Sequence, residues 1–368
     1  MKKSLIALAV LGSFAGAASA ANTVTLWGRV DTAYQSIKTV NTNAAGVRTT
    51  SPVNNGKLKM YDAGESRIGI KVKEDLGNGL NAFVRLEGSM TSDVGTSVAF
   101  NRESVIGLGT SFGDVYFGRS NSPMDKVNIS AGNRSGDLAS SYAGYSGNNR
   151  WSNTAFYAYS QNGLSIYAGV STKGGQFNNL NATEQHAGTK PAYGLAVKYA
   201  GKINANMGYS VAAAYQALND KSYVTPVTIG AVSKAGVKNT WLVNGTFTFQ
   251  PVTVGLSYSA GKYYTAAPAT AKHVKYRANV TANVTANDSV YVEYTGEKDT
   301  FNNAGILAAN TKTQTWGLGY RHSLSKRTSV FFNAGRMTAK KSDTPFMGVT
   351  STIKARTTSY DLGLRHTF

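Results

Sequence analysis

The sequence of 368 residues has no cysteine, few patterns typical of long helices, and no apolar run able to cross a membrane as a helix. The lack of cysteine excludes a disulfide framework, so an exported chain of this size must be held together in another way. Acidic residues are also scarce, since 19 Asp and Glu stand against 38 Lys and Arg. The resulting formal net charge of +19 favours anionic partners, and it carries no information about the fold.

Histidine is rare as well, and its four copies lie far apart in the chain, at His186, His273, His322 and His366. A barrel hydrolase needs a histidine beside a nucleophile or a carboxylate at one rim, and the sequence shows no such grouping. We therefore expect no catalytic residue, no metal and no cofactor. A pairing between residues distant in the sequence stays open at this point, and with it the alternative of a barrel enzyme.

The first 20 residues have the layout of a secretory signal peptide. A cationic start precedes an apolar run from Leu5 to Ala17, and the small residues Ala18, Ser19 and Ala20 then form an A-x-A cleavage site. The run is too short for a stable transmembrane helix. We expect residues 1–20 to be removed and residues 21–368 to form one exported domain that begins at Ala21.

Most of the remaining chain alternates between apolar and polar residues, and the segments 252–260 and 274–284 are the clearest cases. This period of two indicates strands with one apolar face. No helical segment is available to cover those faces. About sixteen strands can be counted, which is the size at which membrane barrels begin to hold an aqueous channel. They start near Val24, Ser66, Leu80, Phe100, Val115, Trp151, Leu164, Tyr193, Met207, Thr240, Val252, His273, Ser289, Lys312, Thr328 and Lys354.

The connections between these strands are alternately short and long. The short ones carry turn residues such as the Asn and Gly at 78–79 and at 162–163, which fit tight hairpins. The long ones fall near 39–65, 120–149, 173–190, 217–239, 262–272, 300–311 and 339–353. The alternation is typical of outer-membrane barrels with short periplasmic turns and longer extracellular loops. The fold class predicted is all-β, a transmembrane antiparallel barrel of 16 strands.

The connection at 120–149 differs from the others because it is rich in Ser, Asn and Gly and shows neither helical nor strand periodicity. A loop of this length in a compact fold is usually functional or disordered. We interpret it as the third long loop, folded into the barrel so that it narrows the lumen. The alternative is a flexible loop on the surface.

Six short stretches of the chain resemble the general trimeric porins of Gram-negative outer membranes, in particular their β-proteobacterial branch. They are VTLWGRVD at 24–31, SRIGIK at 66–71, EDLGNG at 74–79, FGR at 117–119, LSKRT at 324–328 and GLRHTF at 363–368. Each stretch is weakly specific alone, but together they are specific, and the resemblance extends over the mature chain from end to end. The resemblance implies a barrel of 16 strands, a homotrimer in contact with outer-membrane lipid and lipopolysaccharide, and an inward third loop at 120–149. It also implies that the terminal Phe368 marks the chain for the barrel assembly machinery.

The resemblance further implies a ladder of basic residues on the barrel wall that the inward loop faces. The motif positions assign Arg29, Arg67, Arg102 and Arg150 to this ladder. Strand alternation also points these four side chains and Lys71 into the lumen, because it assigns Val105, Gly107 and Trp151 to the lipid-facing side. The alternative is a scatter of solvated lumen charges without a common role.

The loop itself carries only two acidic residues, Asp125 and Asp137, beside Lys126 and Arg134. Family members carry more acid in this loop, so the departure favours a net positive potential. We expect the loop to lie against the arginine-bearing wall, where its two carboxylates find partners. Arg119 is phased outward by Val115 and Phe117, and a cation on the lipid face is costly. That position favours either a subunit contact or the membrane rim.

The function predicted from these features is a non-enzymatic, water-filled channel for diffusion of small hydrophilic solutes across the outer membrane, with a preference for anions. The alternative from the same family is a substrate-specific porin for small anions or sugars. A basic nucleic-acid-binding protein is a further alternative by charge alone. Export and the spread of Lys and Arg over alternate lumen positions oppose that alternative.

Overall fold

The computed structural model describes residues 22–63, 66–95, 98–129, 150–172, 191–218, 237–263, 270–303, 307–343 and 351–368. Within these ranges the chain forms seventeen strands and one short helix. They are β1 (Thr23–Thr42), β2 (Arg48–Asp62), β3 (Arg67–Gly77), β4 (Leu80–Ser89), β5 (Ala99–Thr110), β6 (Gly113–Asn121), α1 (Pro123–Val127), β7 (Arg150–Gln161), β8 (Leu164–Ser171), β9 (Ala192–Lys202), β10 (Met207–Ala217), β11 (Val237–Phe249), β12 (Val252–Tyr263), β13 (Thr270–Asn283), β14 (Asp288–Asn303), β15 (Leu307–Ser323), β16 (Thr328–Asp343) and β17 (Ser351–Thr367).

The strands form one closed antiparallel barrel, because the last strand, β17, pairs with the first strand, β1, from Arg29 to Thr42. β2 and β3 pair with two different parts of β1, β2 from Thr32 to Thr42 and β3 from Thr23 to Arg29. They therefore share one position in the wall, and the barrel has sixteen positions. Closure leaves no open sheet edge in the hydrocarbon, where unpaired backbone groups are costly. The predicted barrel of sixteen strands is confirmed.

The predicted long loop at 39–65 is wrong. β1 continues to Thr42, and β2 returns antiparallel from Arg48 to Asp62 before the break that precedes β3. This hairpin is rich in Asn and Thr, so its alternation of apolar and polar residues is weak. Strand residues that extend beyond the hydrocarbon need no apolar face, and hydrophobic periodicity therefore misses them.

The outer face of the barrel is apolar and carries rows of aromatic side chains. Ring pairs lie across neighbouring strands, as in Trp241–Tyr258 with centroids 5.2 Å apart and Tyr294–Trp316 at 4.5 Å. Aromatic girdles of this kind lie at the two membrane interfaces of a barrel. No helix in the described parts of the chain is long and apolar enough to cross a membrane.

Candidate functional site

Four arginines lie together on one side of the lumen, Arg29 on β1, Arg67 on β3, Arg102 on β5 and Arg365 on β17. We call this set the arginine wall. Arg29 and Arg67 are direct cross-strand partners. Arg29 interacts electrostatically with each of the other three. The cations are therefore neighbours, as expected for a charged wall and not for scattered lumen residues.

Two carboxylates are shared among these four arginines. Asp31, with no exposed surface, accepts hydrogen bonds from Nε and Nη2 of Arg365 at 2.7 and 3.0 Å, and its Oδ2 lies 3.1 Å from Nε of Arg29. Glu87 forms an ion pair with Arg102, and its Oε1 lies 3.8 Å from Nε of Arg67. Four guanidinium groups against two carboxylates leave a formal charge of +2 on the wall of the pore.

Further cations extend this face of the lumen toward the short-turn end. Arg85 on β4 pairs with Glu103 on β5 at 3.7 Å, and its guanidinium lies 4.6 Å from the centroid of the Phe83 ring. Lys71 on β3 lies 5.1 Å above the ring of Trp27. Cation–aromatic contacts hold such side chains in place without neutralising their charge. Arg85 is balanced by Glu103, so Lys71 is the cation of this pair that continues the positive potential along the pore.

Arg102 belongs to the arginine wall although regular alternation along β5 would give it the outward phase of Ile106. Val105 and Gly107, expected to face lipid, face inward: Val105 is buried, whereas Ile106 is 63% exposed on the outer face. A register shift opposite Glu87 and Ser89 changes the phase of β5 between Ala99 and Glu103. The irregularity allows two consecutive residues of β5 to form ion pairs with β4: Arg102 pairs with Glu87, and Glu103 pairs with Arg85.

The placement predicted for Arg150 is wrong. Its neighbour Trp151 has no exposed surface and packs with Tyr116 and Phe156 inside the barrel. Because Trp151 faces inward, Arg150 has the opposite phase, and it lies close enough to Arg119 to act on it electrostatically. The aromatic cluster occupies the lumen side of the wall, so the rule of apolar residues outside and polar residues inside fails there.

Arg119 lies between two neighbouring strands. Its Nε donates to the carbonyl oxygen of Asn101 on β5 at 2.6 Å, and its Nη1 lies 2.7 Å from the hydroxyl oxygen of Ser152 on β7. It is half-buried within a single chain. These contacts fix the guanidinium near Arg150, which acts on it electrostatically.

Helix α1 opens the third long loop and lies inside the barrel. Ser122 caps the helix by accepting a hydrogen bond from the Asp125 amide at 3.2 Å, and Pro123 occupies the first turn, where its missing N–H has no cost. The helix contacts β8, β9 and β10. The inward fold of the described start of the loop agrees with the predicted constriction. Arg134 and Asp137, the other two charges assigned to the loop, lie outside the described residues.

The helix is held by apolar contacts with the wall. Met124 and Val127 are fully buried or nearly so, and they pack in one cluster with Ala196, Ala212, Ala214 and Leu242 of β9, β10 and β11. Small residues on the inner face of these strands make room for the helix. A Cβ added at Gly194 would lie 2.9 Å from the Trp151 ring and 3.4 Å from Pro123.

Two hydrogen bonds attach the end of this segment to more distant strands. The Asn244 side-chain amide on β11 donates to the carbonyl of Val127 at 3.0 Å, and Nη1 of Arg277 on β13 donates to the carbonyl of Ile129 at 2.6 Å. Arg277 is also paired with buried Glu293 at 3.4 Å. The segment 122–129 is therefore attached to the wall formed by β8–β13.

The expectation that the loop lies against the arginines is wrong for this described segment. It docks on β8–β13, whereas the arginine wall is formed by β17, β1, β3 and β5. Apolar burial decides the docking side, because Met124, Val127 and Ile129 need the alanine-lined strands. The arginines instead find their carboxylates on their own strands, at Asp31 and Glu87.

Lys126 leaves the helix toward the β4–β6 side of the lumen. It lines a cavity together with Arg85, Tyr116, Asp114 and Tyr167. Burial lowers the pKa of Lys126, and the neighbouring carboxylate of Glu103 partly offsets this effect. Asp125 lies next to it in the first turn of the helix. Lys126 thus adds a cation to the cavity between the helix and β4–β8.

Sequence reasoning did not single out Arg365, Asn244 or the Arg277–Glu293 pair. Arg365 was recognisable by its inward phase on the last strand. The docking contacts had a weaker signal, which is the run of inward-facing Ala and Gly on β9 and β10 where a wet lumen would favour polar residues. The described residues contain no group of three or more His, Asp or Glu able to hold a metal ion.

Comparison with known proteins identifies relatives over nearly the whole chain. The family model described as Gram-negative porin matches residues 7–342. Outer membrane porin protein 32 of Delftia acidovorans is 29% identical over 386 aligned residues that cover 100% of both chains. The anion-selective porin from Comamonas acidovorans superposes with a TM-score of 0.61 at 20% identity, covering 94% of this chain and 100% of that one. The trimer form of OmpT of Vibrio cholerae gives 0.64 at 15% identity, covering 95% and 100%.

Proposed function

Because the chain belongs to the Gram-negative porin family, we propose that it forms a non-specific, anion-preferring, water-filled channel for diffusion of small hydrophilic solutes across the outer membrane. The observation that carries the proposal is the arginine wall, in which four guanidinium groups share two carboxylates. Charged walls at a constriction are how pores select among ions. The proposal includes no enzymatic activity, no cofactor and no nucleic-acid partner.

Two further observations support the anion preference. Lys126 and Arg85 add cations next to the arginine wall, and Glu103 is the carboxylate between them. The porin from Comamonas acidovorans, whose fold this chain shares, is described as anion-selective. The described segment of the loop and the strands on which it docks carry too few carboxylates to neutralise the charge of the arginine wall.

The test is the reversal potential of single channels in a planar bilayer across a salt gradient. We expect stable open channels whose reversal potential has the sign of anion permeation, because the fixed lumen charge concentrates anions and excludes cations. High salt on both sides should weaken the preference as screening shortens the reach of the charges. A cation-selective potential for the wild-type protein would overturn the anion preference and leave the channel itself in place.

A substrate-specific porin for small anions or sugars is the second candidate. The observation that favours it is the lumen cavity lined by Lys126, Arg85, Tyr116 and Tyr167. Cations and phenols at one place can bind a carboxylate or phosphate group. Solute flux into liposomes separates the two candidates, because a binding site saturates with solute concentration and simple diffusion does not.

We also propose a homotrimer, in which Arg119 lies at or near a subunit contact. OmpT of Vibrio cholerae, which has the same fold, is described in a trimer form. We expect protein extracted without boiling to migrate on a denaturing gel as an oligomer, and boiled protein to migrate near 39.0 kDa or below. Chemical cross-linking in mild detergent provides a second measurement. A folded species that stays monomeric in both experiments would exclude the trimer.

The C-terminal residue fits the proposed role in recognition by the barrel assembly machinery. Phe368 exchanges two backbone hydrogen bonds with Gly28, at 3.0 and 3.1 Å, so the end of β17 is joined to β1. Its ring covers Gly28, where any Cβ would collide with it at 2.3 Å. Removal of Phe368 is proposed to slow assembly, which the yield of heat-modifiable protein in the membrane fraction reports.

A further inference from the structure

Trp27 places an indole ring on the lumen side of β1, next to the arginine wall. It has the inward phase of Arg29, whereas Leu26 is 60% exposed on the outer face. Because β1 begins at the short-turn end, the ring lies about 7 Å from Arg29 along the strand, toward that end. Trp27 is half-buried, so part of its ring is open to the pore.

The indole lies over Gly69, which is its direct cross-strand partner on β3. A Cβ added at Gly69 would lie 2.5 to 2.7 Å from Cε2, Nε1 and Cζ2 of the indole, so only glycine leaves room for the ring against the sheet. Nε1 is buried and has no hydrogen-bond partner in the described ranges of the chain. The ring is therefore positioned by packing on the backbone of β3, and what it offers to the pore is an aromatic surface.

Two other lumen-facing rings pack over a glycine but are covered. Phe331 over Gly363 is 3% exposed, and Tyr291 over Gly319 is 8% exposed. Packing of an aromatic ring on glycine is a general means of stabilising a sheet, and burial completes it at these two positions. Trp27 differs because it stays half-exposed and has cations as neighbours. Sheet packing accounts for the glycine, but it does not require an open ring between cations.

Two cations flank this ring along β3. The ammonium of Lys71 lies 5.1 Å from the ring centroid, and the guanidinium carbon of Arg67 lies 5.9 Å from it. Arg67 precedes Gly69 in the strand and Lys71 follows it, so the ring lies between them. Arg67 shares the carboxylate of Glu87 with Arg102, whereas Lys71 has no ion-pair partner among the residues that the structure describes. The charge of Lys71 is therefore available to an anion in the pore.

This combination suits a ligand that is both flat and anionic. An aromatic ring can stack on the indole in an offset arrangement. A carboxylate on that ring can accept charge-assisted hydrogen bonds from an ammonium or a guanidinium group. Lys71 is exposed, so its side chain can turn from the indole toward a carboxylate at the edge of the stacked ring. An aliphatic anion would gain only the cations, and a neutral aromatic compound only the ring.

We propose that Trp27, Lys71 and Arg67 form a binding site for aromatic carboxylates on the short-turn side of the arginine wall. The inference rests on the proposed anion-preferring channel and adds a preferred class of solute to it. A weak site of this kind raises the concentration of the solute beside the arginine wall and leaves the pore open to other solutes. It is separate from the cavity lined by Lys126 and Tyr167.

The test measures the concentration of benzoate that halves the single-channel current in potassium chloride. Cyclohexanecarboxylate is the matched ligand, because it has the same charge and a similar size without an aromatic face. For the wild type we expect benzoate to act at a concentration about three- to tenfold lower than cyclohexanecarboxylate, which is the range that aromatic stacking adds beyond burial. In Trp27→Leu the two carboxylates should act at the same concentration.

Three further variants separate the ring from the cations. Trp316→Leu makes the same replacement at a tryptophan that is 56% exposed on the outer face, and it should keep the wild-type difference between the two ligands. Trp27→Phe retains an aromatic ring and should keep most of that difference. Lys71→Gln should raise the required concentration of both carboxylates about two- to fivefold, which is the range of an exposed ion pair.

Each outcome decides the proposal. Equal action of the two carboxylates on the wild type overturns it, and so does a benzoate response that is unchanged in Trp27→Leu. Equal action of benzyl alcohol and benzoate would show that the cations take no part, which also overturns it. If Trp27→Leu does not assemble, the ligand comparison on the wild type and on Lys71→Gln decides. The reversal potential recorded before benzoate is added tests the channel proposal separately, so the two failures are distinguishable.

Discussion

Replacement of Arg67 and Arg102 by glutamate is expected to remove the anion preference and to reverse the sign of the reversal potential. The two substitutions take the formal charge of the arginine wall and its carboxylates from +2 to −2. They also leave Glu87 among carboxylates instead of between two guanidinium groups. A unit charge at contact distance is worth about 1–4 kcal/mol at dielectric constants between those of water and a protein surface. A change of four charges at a narrow point therefore outweighs the remaining cations.

A control with the same change of charge separates the lumen from the rest of the protein. Lys298→Glu/Lys312→Glu places two carboxylates on the outer face of the barrel, with the wall between them and the ion path. We expect its reversal potential to remain close to that of the wild type. Both double variants should yield the heat-modifiable oligomer. Unchanged anion selectivity in a correctly assembled Arg67→Glu/Arg102→Glu channel would show that the arginine wall does not set selectivity.

The strand positions were predictable because lipid imposes one rule on almost the whole outer face. Residues that contact hydrocarbon must be apolar, and alternation then follows from strand geometry. The predicted starts at Leu80, Leu164, Met207, Val252 and Thr328 are the starts in the structure. The rule does not apply outside the membrane, and hydrophobic periodicity therefore misses the hairpin of β1 and β2.

The lumen was less predictable because its inner face is not uniformly wet. Val105, Tyr116 and Trp151 are apolar or aromatic and face inward, where they pack together. Periodicity alone assigns such residues to lipid and turns their neighbours inward, and that inversion placed Arg150 in the pore. Arg29, Arg67 and Lys71 lie on β1 and β3, where the outer face is clearly apolar, and there alternation predicted the inward phase that the structure shows.

The docking side of the loop could not be derived from charge. Opposite charges on the loop and the wall suggest attraction, but Asp31 already pairs with Arg365 at 2.7 Å, and Glu87 already pairs with Arg102. The stronger determinant is the burial of Met124 and Val127, each worth about 1.5–3 kcal/mol when fully buried. Its partner surface is formed by small residues on three strands that are distant in sequence. A pairing of that kind becomes visible only when the barrel brings these strands together.

Removal of the inward loop is expected to raise single-channel conductance, and the register makes a clean design possible. Asn121 and Arg150 are direct cross-strand partners, so residues 122–149 can be replaced by an Asn-Gly turn that closes a two-residue hairpin. The replacement removes α1, which with its side chains is about 10–12 Å across, from the lumen, and we expect conductance to increase on the order of twofold. The anion preference should fall, because the centre of the wider pore lies farther from the arginine wall.

A second loop replacement is the matched control for this prediction. Asp343 and Ser351 are also direct partners, so residues 344–350 can be replaced by the same Asn-Gly turn between β16 and β17. Both variants shorten a long-loop connection and keep every strand pair. If the loop at 122–149 sets the width of the pore, conductance rises in the first variant and remains unchanged in the second. Equal conductance in both, with oligomers still formed, would mean that the segment docked on β8–β13 lies beside the ion path without narrowing it, and the constriction would have to be assigned to the arginine wall alone.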